Sequence, residues 1–434
     1  MERYAQMKNS GVDWIQDIPT GWGVRVLFQL ADQVKNKNKD LVEKNLLSLS
    51  YGKIKRKDIN NPEGLLPESF DGYNIIEADD IVLRLTDLQN DHTSLRVGQA
   101  KERGIITSAY TTLRPSALVN PKYLYYVLHA YDLIKGFYGM GSGVRQGLNY
   151  DEVKMIKVPY PTLAEQEKII RYLDDQVAQI DSIIEEAKAS IEEYKRWKES
   201  IIFEATTKGL TADVPMRDSR ITWMGEIPVG WRVTKTLRCL SMPITDGPHT
   251  TPELYDTGVP FVSAEAVSCG NGRIDFSHMR GYISEEFYNE CCKKYVPKID
   301  DVYMIKSGAT TGRVAIVDTD KKFTIWSPLA VFRANTNRIM PMFLFYALQS
   351  DYYQKQVELG WTYGTQQNIG MRTLETLKIC LPPLDQQKEI VQYLDEKCGY
   401  IDEIINAKES VISDIETYKR SLIYETVTGK RKVV

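Results

Sequence analysis

No apolar run in this 434-residue chain approaches the roughly 18 residues that a membrane-crossing helix needs. Its start, MERYAQMKNS, is polar and lacks the apolar core of a signal peptide. A cytoplasmic protein with no membrane partner is the expectation. Cysteine is sparse: Cys239, Cys269, Cys291, Cys292, Cys380 and Cys398, all in the second half. No C-x-x-C pair occurs and no cysteine has a histidine at finger spacing, so no zinc or other metal site is expected. Without export a disulfide framework is not expected either, and the six read as reduced, structural thiols. Four scattered histidines provide no hydrolytic triad. The run KSGATTGR has the glycines of a phosphate loop but not the G-x-x-x-x-G-K-[ST] pattern, which argues against nucleotide binding.

The chain is 43% hydrophobic and 26% charged, ordinary for a globular protein, and too long for one core. Its net charge of −3 conceals a division. Residues 161–210 hold 7 Lys and Arg against 11 Asp and Glu, and residues 381–434 hold 8 against 10. Residues 1–160 hold 21 against 19, and 211–380 hold 19 against 18, so the two longer regions are mildly basic.

The acidic segments are also the clearest internal repeat. LAEQEKIIRYLDDQVAQIDSII, from Leu163, matches LDQQKEIVQYLDEKCGYIDEII, from Leu384, at an offset of 221 residues. Thr162 and Glu165 have capping-box spacing, whereas the counterpart of Thr162 is Pro383, so the second helix must start differently. Both segments carry heptads. The first places Ile170, Val177, Ile184, Ile191 and Lys198 at a, with Leu173, Ile180, Ala187, Tyr194 and Ile201 at d. The second places Val391, Cys398, Ile405, Ile412 and Lys419 at a, with Leu394, Ile401, Lys408, Ile415 and Leu422 at d. A period of 3.5 held over four heptads predicts a coiled-coil seam. At 1.5 Å per residue, Ile170 to Ile201 spans about 48 Å. If the two helices pair, related halves imply a pseudo-twofold axis and an antiparallel arrangement. Two ordinary core helices are the plainer alternative.

A second repeat frames the rest. IPTGW at Ile18–Trp22 returns as IPVGW at Ile227–Trp231, an offset of 209 that Trp14 and Trp223 share. YLYYVLHA echoes FLFYALQS, and TSAYTTLRP echoes WSPLAVFRA. Between these frames the interiors differ, and short strand-like runs such as DDIVLRL and RVAIV alternate with Gly, Asn and Asp turns. The expected fold class is α/β (α+β): two domains of mixed sheet and helix, separated by two long helices forming an antiparallel coiled coil. The expected division is a first domain at 1–160, a first helix at 161–210, a second domain at 211–381 and a second helix at 382–434.

The doubled W-x-x-x-I-P-x-G-W frame, the helix starts PTLAEQEKIIRYLD and PPLDQQKEIVQYLD, and the 221-residue repeat together resemble the DNA specificity subunits of type I restriction-modification systems. The resemblance covers essentially the whole chain. It implies two target recognition domains, each reading one half of a bipartite, asymmetric site in double-stranded DNA. The helices become a spacer that docks two methylation subunits, with restriction subunits joining for cleavage. It implies a non-catalytic chain that needs no cofactor. The residues agree: VPYP and LPPL lack the polar residue of a methyltransferase motif, and DEVK at Asp151–Lys154 is too little for a nuclease. A protein-only scaffold with two peptide-binding heads remains the alternative, and an orphan DNA-modifying enzyme is a third reading.

Phosphate binding calls for Lys and Arg, and base reading for Arg, Gln and Asn. In the first domain the candidates are Lys35, Lys37 and Lys39, and then Lys53, Lys55, Arg56 and Lys57. After a strand-like run come Arg84, Thr86, Gln89, Asn90, His92 and Arg96, and near the helix start Arg145 and Gln146. In the second they are Asp246, His249, Thr250 and Thr251, then Lys306, Ser307, Thr310, Thr311 and Arg313, and finally Gln366, Gln367 and Asn368. Each alone also fits an ordinary solvated loop. Acidic residues off the seam, such as Asp174, Asp175, Glu185 and Glu186, are the expected contacts for the methylation subunits.

Overall fold

A computed structural model describes residues 3–60, 69–140, 147–363 and 367–433. Contacts divide the chain into two compact units. Unit 1 joins Met1–Ala187 to Glu409–Val434, and unit 2 is Lys188–Lys408. Each long helix, Leu163–Lys208 and Leu384–Val427, therefore contributes part of its length to each unit.

Unit 1 is built on two four-stranded sheets. One has the order Ala31–Gln33, Thr111–Pro115, Ile81–Leu83, Val97–Gln99, all antiparallel. Its central strand Ile81–Leu83 is buried at every position, which is why it reads as a continuous apolar run rather than an alternating one. The other has the order Lys53–Lys57, Leu46–Ser50, Gly104–Ile106, Asn74–Ile76, with the 46–50 and 104–106 strands parallel. The strand alternation sends Leu47, Leu49, Ile76 and Ile106 into one apolar cluster and Leu46, Ile75 and Ile105 into another on the opposite face. Helix Pro121–Leu133 starts where Asn120 caps the amide of Lys122 and a proline takes the first helical position.

Unit 2 repeats this wiring. Thr245–Asp246, Leu329–Phe332, Val302–Ile305 and Val314–Ile316 form a sheet of the same order and sense. A smaller sheet again contains one parallel pair, Val259–Val262 with Thr324–Ile325. In both units a short strand before the long helix pairs with the strand after the repeated Gly-Trp: Lys157–Tyr160 with Gly23–Val26, and Lys378–Leu381 with Arg232–Lys235.

The doubled tryptophan acquires a physical reason here. Trp22 Nε1 donates to Glu165 Oε1 at 3.1 Å, and Trp231 Nε1 donates to Gln386 Oε1 at 2.7 Å, so each buried indole pins the first turn of the long helix beside it. A buried glutamine adds a second clamp. Gln166 accepts from the amide of Asn120, and Gln387 from the amide of Met340, both at 2.8 Å. Each glutamine also donates to a proline carbonyl, of Pro161 or Pro382. Tyr126 and Tyr346 donate to Asp174 and Asp395, each at 2.7 Å. Thr162 and Glu165 do form the expected capping box, while the second helix starts without one and keeps the glutamine clamp.

Within unit 1 the two helical stretches run antiparallel. Lys419 Nζ reaches Asp181 Oδ1 at 2.5 Å, and Arg431, past the helix end, donates to Tyr172. Within unit 2 they do so again, with Lys198 on Asp402 at 2.7 Å and Lys408 over the Tyr194 ring at 5.7 Å. The two ion pairs are one pair written twice at the 221-residue offset. Of the apolar seam residues, Ile170, Leu173, Ile180, Ile184, Ile191, Ile201, Val391, Leu394, Ile401, Ile405 and Leu422 are buried, and Val177, Tyr194, Ile412 and Ile415 are half-buried. Cys398 is buried as well, and burial pushes its thiol up to about 11. All six cysteines are free thiols. No helix among the described residues is long and apolar enough to cross a membrane.

Candidate nucleic-acid interface

In unit 1 the strand Lys53–Lys57 lies at a sheet edge. Ile54 enters the apolar cluster, so period-2 alternation turns Lys53, Lys55 and Lys57 to the other face, exposed and beside Ser48 and Ser50 of the paired strand. Arg56 shares the face of Ile54 and is held by the carboxylate of Glu102. The hairpin turn is Tyr51–Gly52, both with left-handed φ (47° and 74°), the geometry of a two-residue hairpin. A Cβ on Gly52 would sit 3.0 Å from Leu95, so this turn packs directly against the 84–96 connection. Basic strand and polar loop are thus neighbours. The Lys35–Lys39 cluster is not among them. Lys37 pairs with Asn74 and donates to the carbonyl of Gly72, beyond the opposite edge of the same sheet, four strand spacings or about 19 Å away.

The 84–96 connection is organised by Arg96, which departs from its expected role. Its side chain is fully buried and donates to the carbonyls of Thr86 (2.7 Å), Asp87 (3.3 Å) and Asp91, and to Tyr138 (3.2 Å). Every donor is occupied inside the protein, so Arg96 holds the loop rather than presenting itself. Around it Gln89, Asn90 and His92 are exposed; His92 stacks on Tyr138 at 5.2 Å, and Lys135 donates to its carbonyl. Arg84 is half-buried near Asp91 at 3.9 Å, and hydrogen bonds from Ser94 hold the Asp91 carboxyl well below the usual range. Beneath the loop, Asp132 accepts the amide of Arg96 at 2.6 Å, and burial pushes its carboxyl up to about 6.

In unit 2 the corresponding hairpin connection is shorter, residues 306–313 instead of 84–96, and is held by the backbone. Gly308 N donates to Gln367 O, Gly312 N to Ile305 O and Ile305 N to Arg313 O. Ser307 bridges to Asn368, which brings Gln367 and Asn368 alongside. The Asp246–Thr251 turn joins them through a buried carboxylate. Asp246 is 1% exposed and gathers three basic side chains: Lys294 at 2.5 Å, His249 at 3.2 Å and Lys306 at 3.4 Å. Asp246, like Arg96, is therefore a holder and not a contact. Gly247 is required next to it, since a Cβ would fall 2.0 Å from the carbonyl of Ile325. His249, Thr250, Thr251, Arg313 and Asn368 are exposed, and Lys306, Ser307, Thr310, Thr311 and Gln367 are half-buried. Thr311 donates to Gly308 O, and Arg313 to Ser268 O. Arg145, Gln146 and Gln366 lie outside the described residues.

Sequence reasoning missed Lys294, 48 residues from the carboxylate it joins, and the pair Arg280–Trp326, whose guanidinium lies 4.2 Å from the ring centroid beside the same turn. The echo of WSPLAVFRA with TSAYTTLRP was a signal for the second, since the odd residue out there is the tryptophan. Asp174, expected to face a partner, is already engaged by Lys122 and Tyr126.

Comparison with known proteins agrees with this doubled architecture. The family described as "Type I restriction modification DNA specificity domain" matches residues 22–193 and again 248–413. A Methanocaldococcus jannaschii sequence provisionally named the specificity subunit of type I restriction enzyme MjaX is 26% identical over 434 residues, covering 96% of each chain. The EcoBI specificity subunit of Escherichia coli is 24% identical over 283 residues, 63% of this chain and 58% of that one. A solved structure from work on complex assembly and conformational transition of the type I restriction-modification system superimposes with a TM-score of 0.66, at 16% identity, over 95% of this chain and 99% of that one. The chain belongs to the family of type I restriction-modification DNA specificity subunits and carries two copies of its domain.

Proposed function

We propose that the chain reads an asymmetric, bipartite site in double-stranded DNA, one half-site per unit. In this reading the two long helices form an antiparallel coiled coil with pseudo-twofold repetition, which spaces the readers and docks two methylation subunits; restriction subunits complete the cleaving complex. The chain itself is non-catalytic. The observation that carries this reading is the contrast inside the two matching sheets. The same strands and clamps recur, while the 84–96 and 306–313 connections differ in length and in the side chain that organises them, Arg96 in one and Asp246 in the other. A scaffold that keeps its frame and varies one surface loop is what two different targets require.

Lys53, Lys55 and Lys57 supply phosphate contacts in unit 1, and Lys294, Lys306 and Arg313 in unit 2. Gln89, Asn90 and His92, and in unit 2 His249, Thr250, Gln367 and Asn368, face base edges. Arg96 and Asp246 position these groups. Converting the three lysines of 53–57 to glutamine weakens binding to all duplexes alike and lowers the slope of log K against log salt by about 2.7, at ~0.9 per phosphate. Changes at Gln89 or His249 relax one half-site each.

The test is to map N6-methyladenine across a genome in cells that produce the chain with its methylation subunit. Methylation confined to two short words with a fixed gap supports the reading. Methylation without that grammar, or independent of this chain, favours the protein-only scaffold.

A further inference from the structure

Unit 2 contains a cavity of about 230 Å³ against Trp231, Gln386 and Ile390, at the point where the indole pins the helix start. Every one of these residues has a counterpart in unit 1: Trp22, Glu165 and Ile169. There the same place is occupied. Tyr4, from the segment ahead of the strand Met7–Asn9, lays its ring edge-on against Trp22 at 5.8 Å and packs on the unit 1 core. Burial pushes its phenol up to about 12, and Glu165 adds to the effect.

The strand Met7–Asn9 corresponds to Met216–Asp218, which fixes the register of the two lead-in segments and sets Asp213 where unit 1 has Tyr4. Asp213 is exposed and has a φ of 59°, so the chain turns at that point and sends no ring inward. The rim differs too. Leu210 and Val229 are 42% and 54% exposed beside the opening, whereas Thr20 stands in the place of Val229 in unit 1. Apolar side chains left open around an unfilled cleft mark a contact surface.

From this difference between the two copies we infer that the unit 2 cleft receives a tyrosine or phenylalanine from an extended segment of a partner protein, set against Trp231 as Tyr4 is set against Trp22. A second copy of this chain is not the donor, because its own Tyr4 is engaged in its own unit 1. Lys208 and Glu389 at the cleft provide polar partners for the backbone or phenol of the incoming segment. The inference is independent of DNA reading, and its failure leaves that reading intact.

The experiment uses the full chain and the hexapeptide RYAQMK, residues 3–8 with blocked ends, followed by saturation-transfer NMR and titration. The expected result is saturable binding that weakens at least tenfold when the peptide tyrosine becomes alanine. Binding is also lost in the Val229→Glu chain, whose change lies on an exposed rim and leaves the fold in place. Absence of saturation up to millimolar peptide overturns the inference. So does equal binding of the alanine peptide, or binding unaffected by Val229→Glu. Saturable binding of p-cresol without binding of the peptide overturns it in favour of a small-molecule site.

Discussion

The two hairpin connections, 84–96 and 306–313, leave matching sheets between matching strands and are held by opposite means. The longer one is threaded onto a buried cation, Arg96, whose donors capture four of the loop's own carbonyls and a tyrosine. The shorter one closes on its own backbone, and its charged neighbours are gathered by a buried anion, Asp246. What the units share lies elsewhere: the indole and glutamine clamps, the tyrosine–aspartate bonds and the seam ion pair. The foot of each connection is shared as well: Arg84 N donates to Arg96 O as Ile305 N does to Arg313 O, and Leu148 N to Leu85 O as Ile369 N does to Lys306 O, while Arg96 and Asp246 each act beyond that foot in one unit. In the proposed reading, support of that kind lets one half of a target change while the other is kept.

Removing the buried cation gives the largest expected effect. Arg96→Met leaves the Thr86 carbonyl without its side-chain donor, strips one donor each from the Asp87 and Asp91 carbonyls and removes the buried cation beside the Asp91 carboxylate, and unit 1 should lose about 3–5 kcal/mol. Hydrogen exchange resolved by peptide should show the loss in 84–96 and none in 306–313; equal loosening of both would break the comparison. Next comes a dependence on pH confined to unit 1. Asp132 has its folded-state carboxyl raised to about 6, so its stabilising contribution is complete below about pH 4 and is lost as pH rises through about 6. The Asp132→Asn variant should therefore gain about 2–3 kcal/mol on the natural protein between pH 4 and pH 7. In unit 2 the buried side chains just after the matching helix are Tyr352 and Tyr353, raised well above the usual tyrosine range by burial and neutral throughout. No such gain is expected there.

The clamps sharpen the comparison further. Trp22→Phe abandons a charged acceptor and Trp231→Phe a neutral one, so denaturant unfolding should report about 2 kcal/mol for the first and about 1 kcal/mol for the second. The smallest effect belongs to the seam pairs. Double-mutant cycles on Lys198–Asp402 and Lys419–Asp181 should give couplings of about 0.5–1 kcal/mol, larger for the former because Asp402 is less exposed than Asp181.

The elements written with strong periodicity were legible. Heptads marked the stretches that run as the long helices Leu163–Lys208 and Leu384–Val427, and the doubled Gly-Trp frame marked the strand after it in each unit. Candidate contacts were legible as loops but not as individual side chains. Arg96 has the composition of a base-reading arginine, and only tertiary folding reveals that Asp132, 36 residues on, and Tyr138 close over it. Asp246 sits in a polar turn, yet its strand pairing and the constrained Gly247 drive it inward, where Lys294 meets it from a distant helix end. Local pattern sets which residues can face water, and long-range pairing decides which of them do.

The central claim is that two unlike surfaces on one repeated frame read two different words. The direct measurement is selection from a random duplex pool at physiological salt, using the chain purified with its methylation subunit, in natural form and as Asp246→Asn. The natural protein should enrich two short, unlike words at a fixed gap, and the variant should blur one word while leaving the other and the gap unchanged. A single word, a palindrome, or loss of both words together in a folded variant would contradict it.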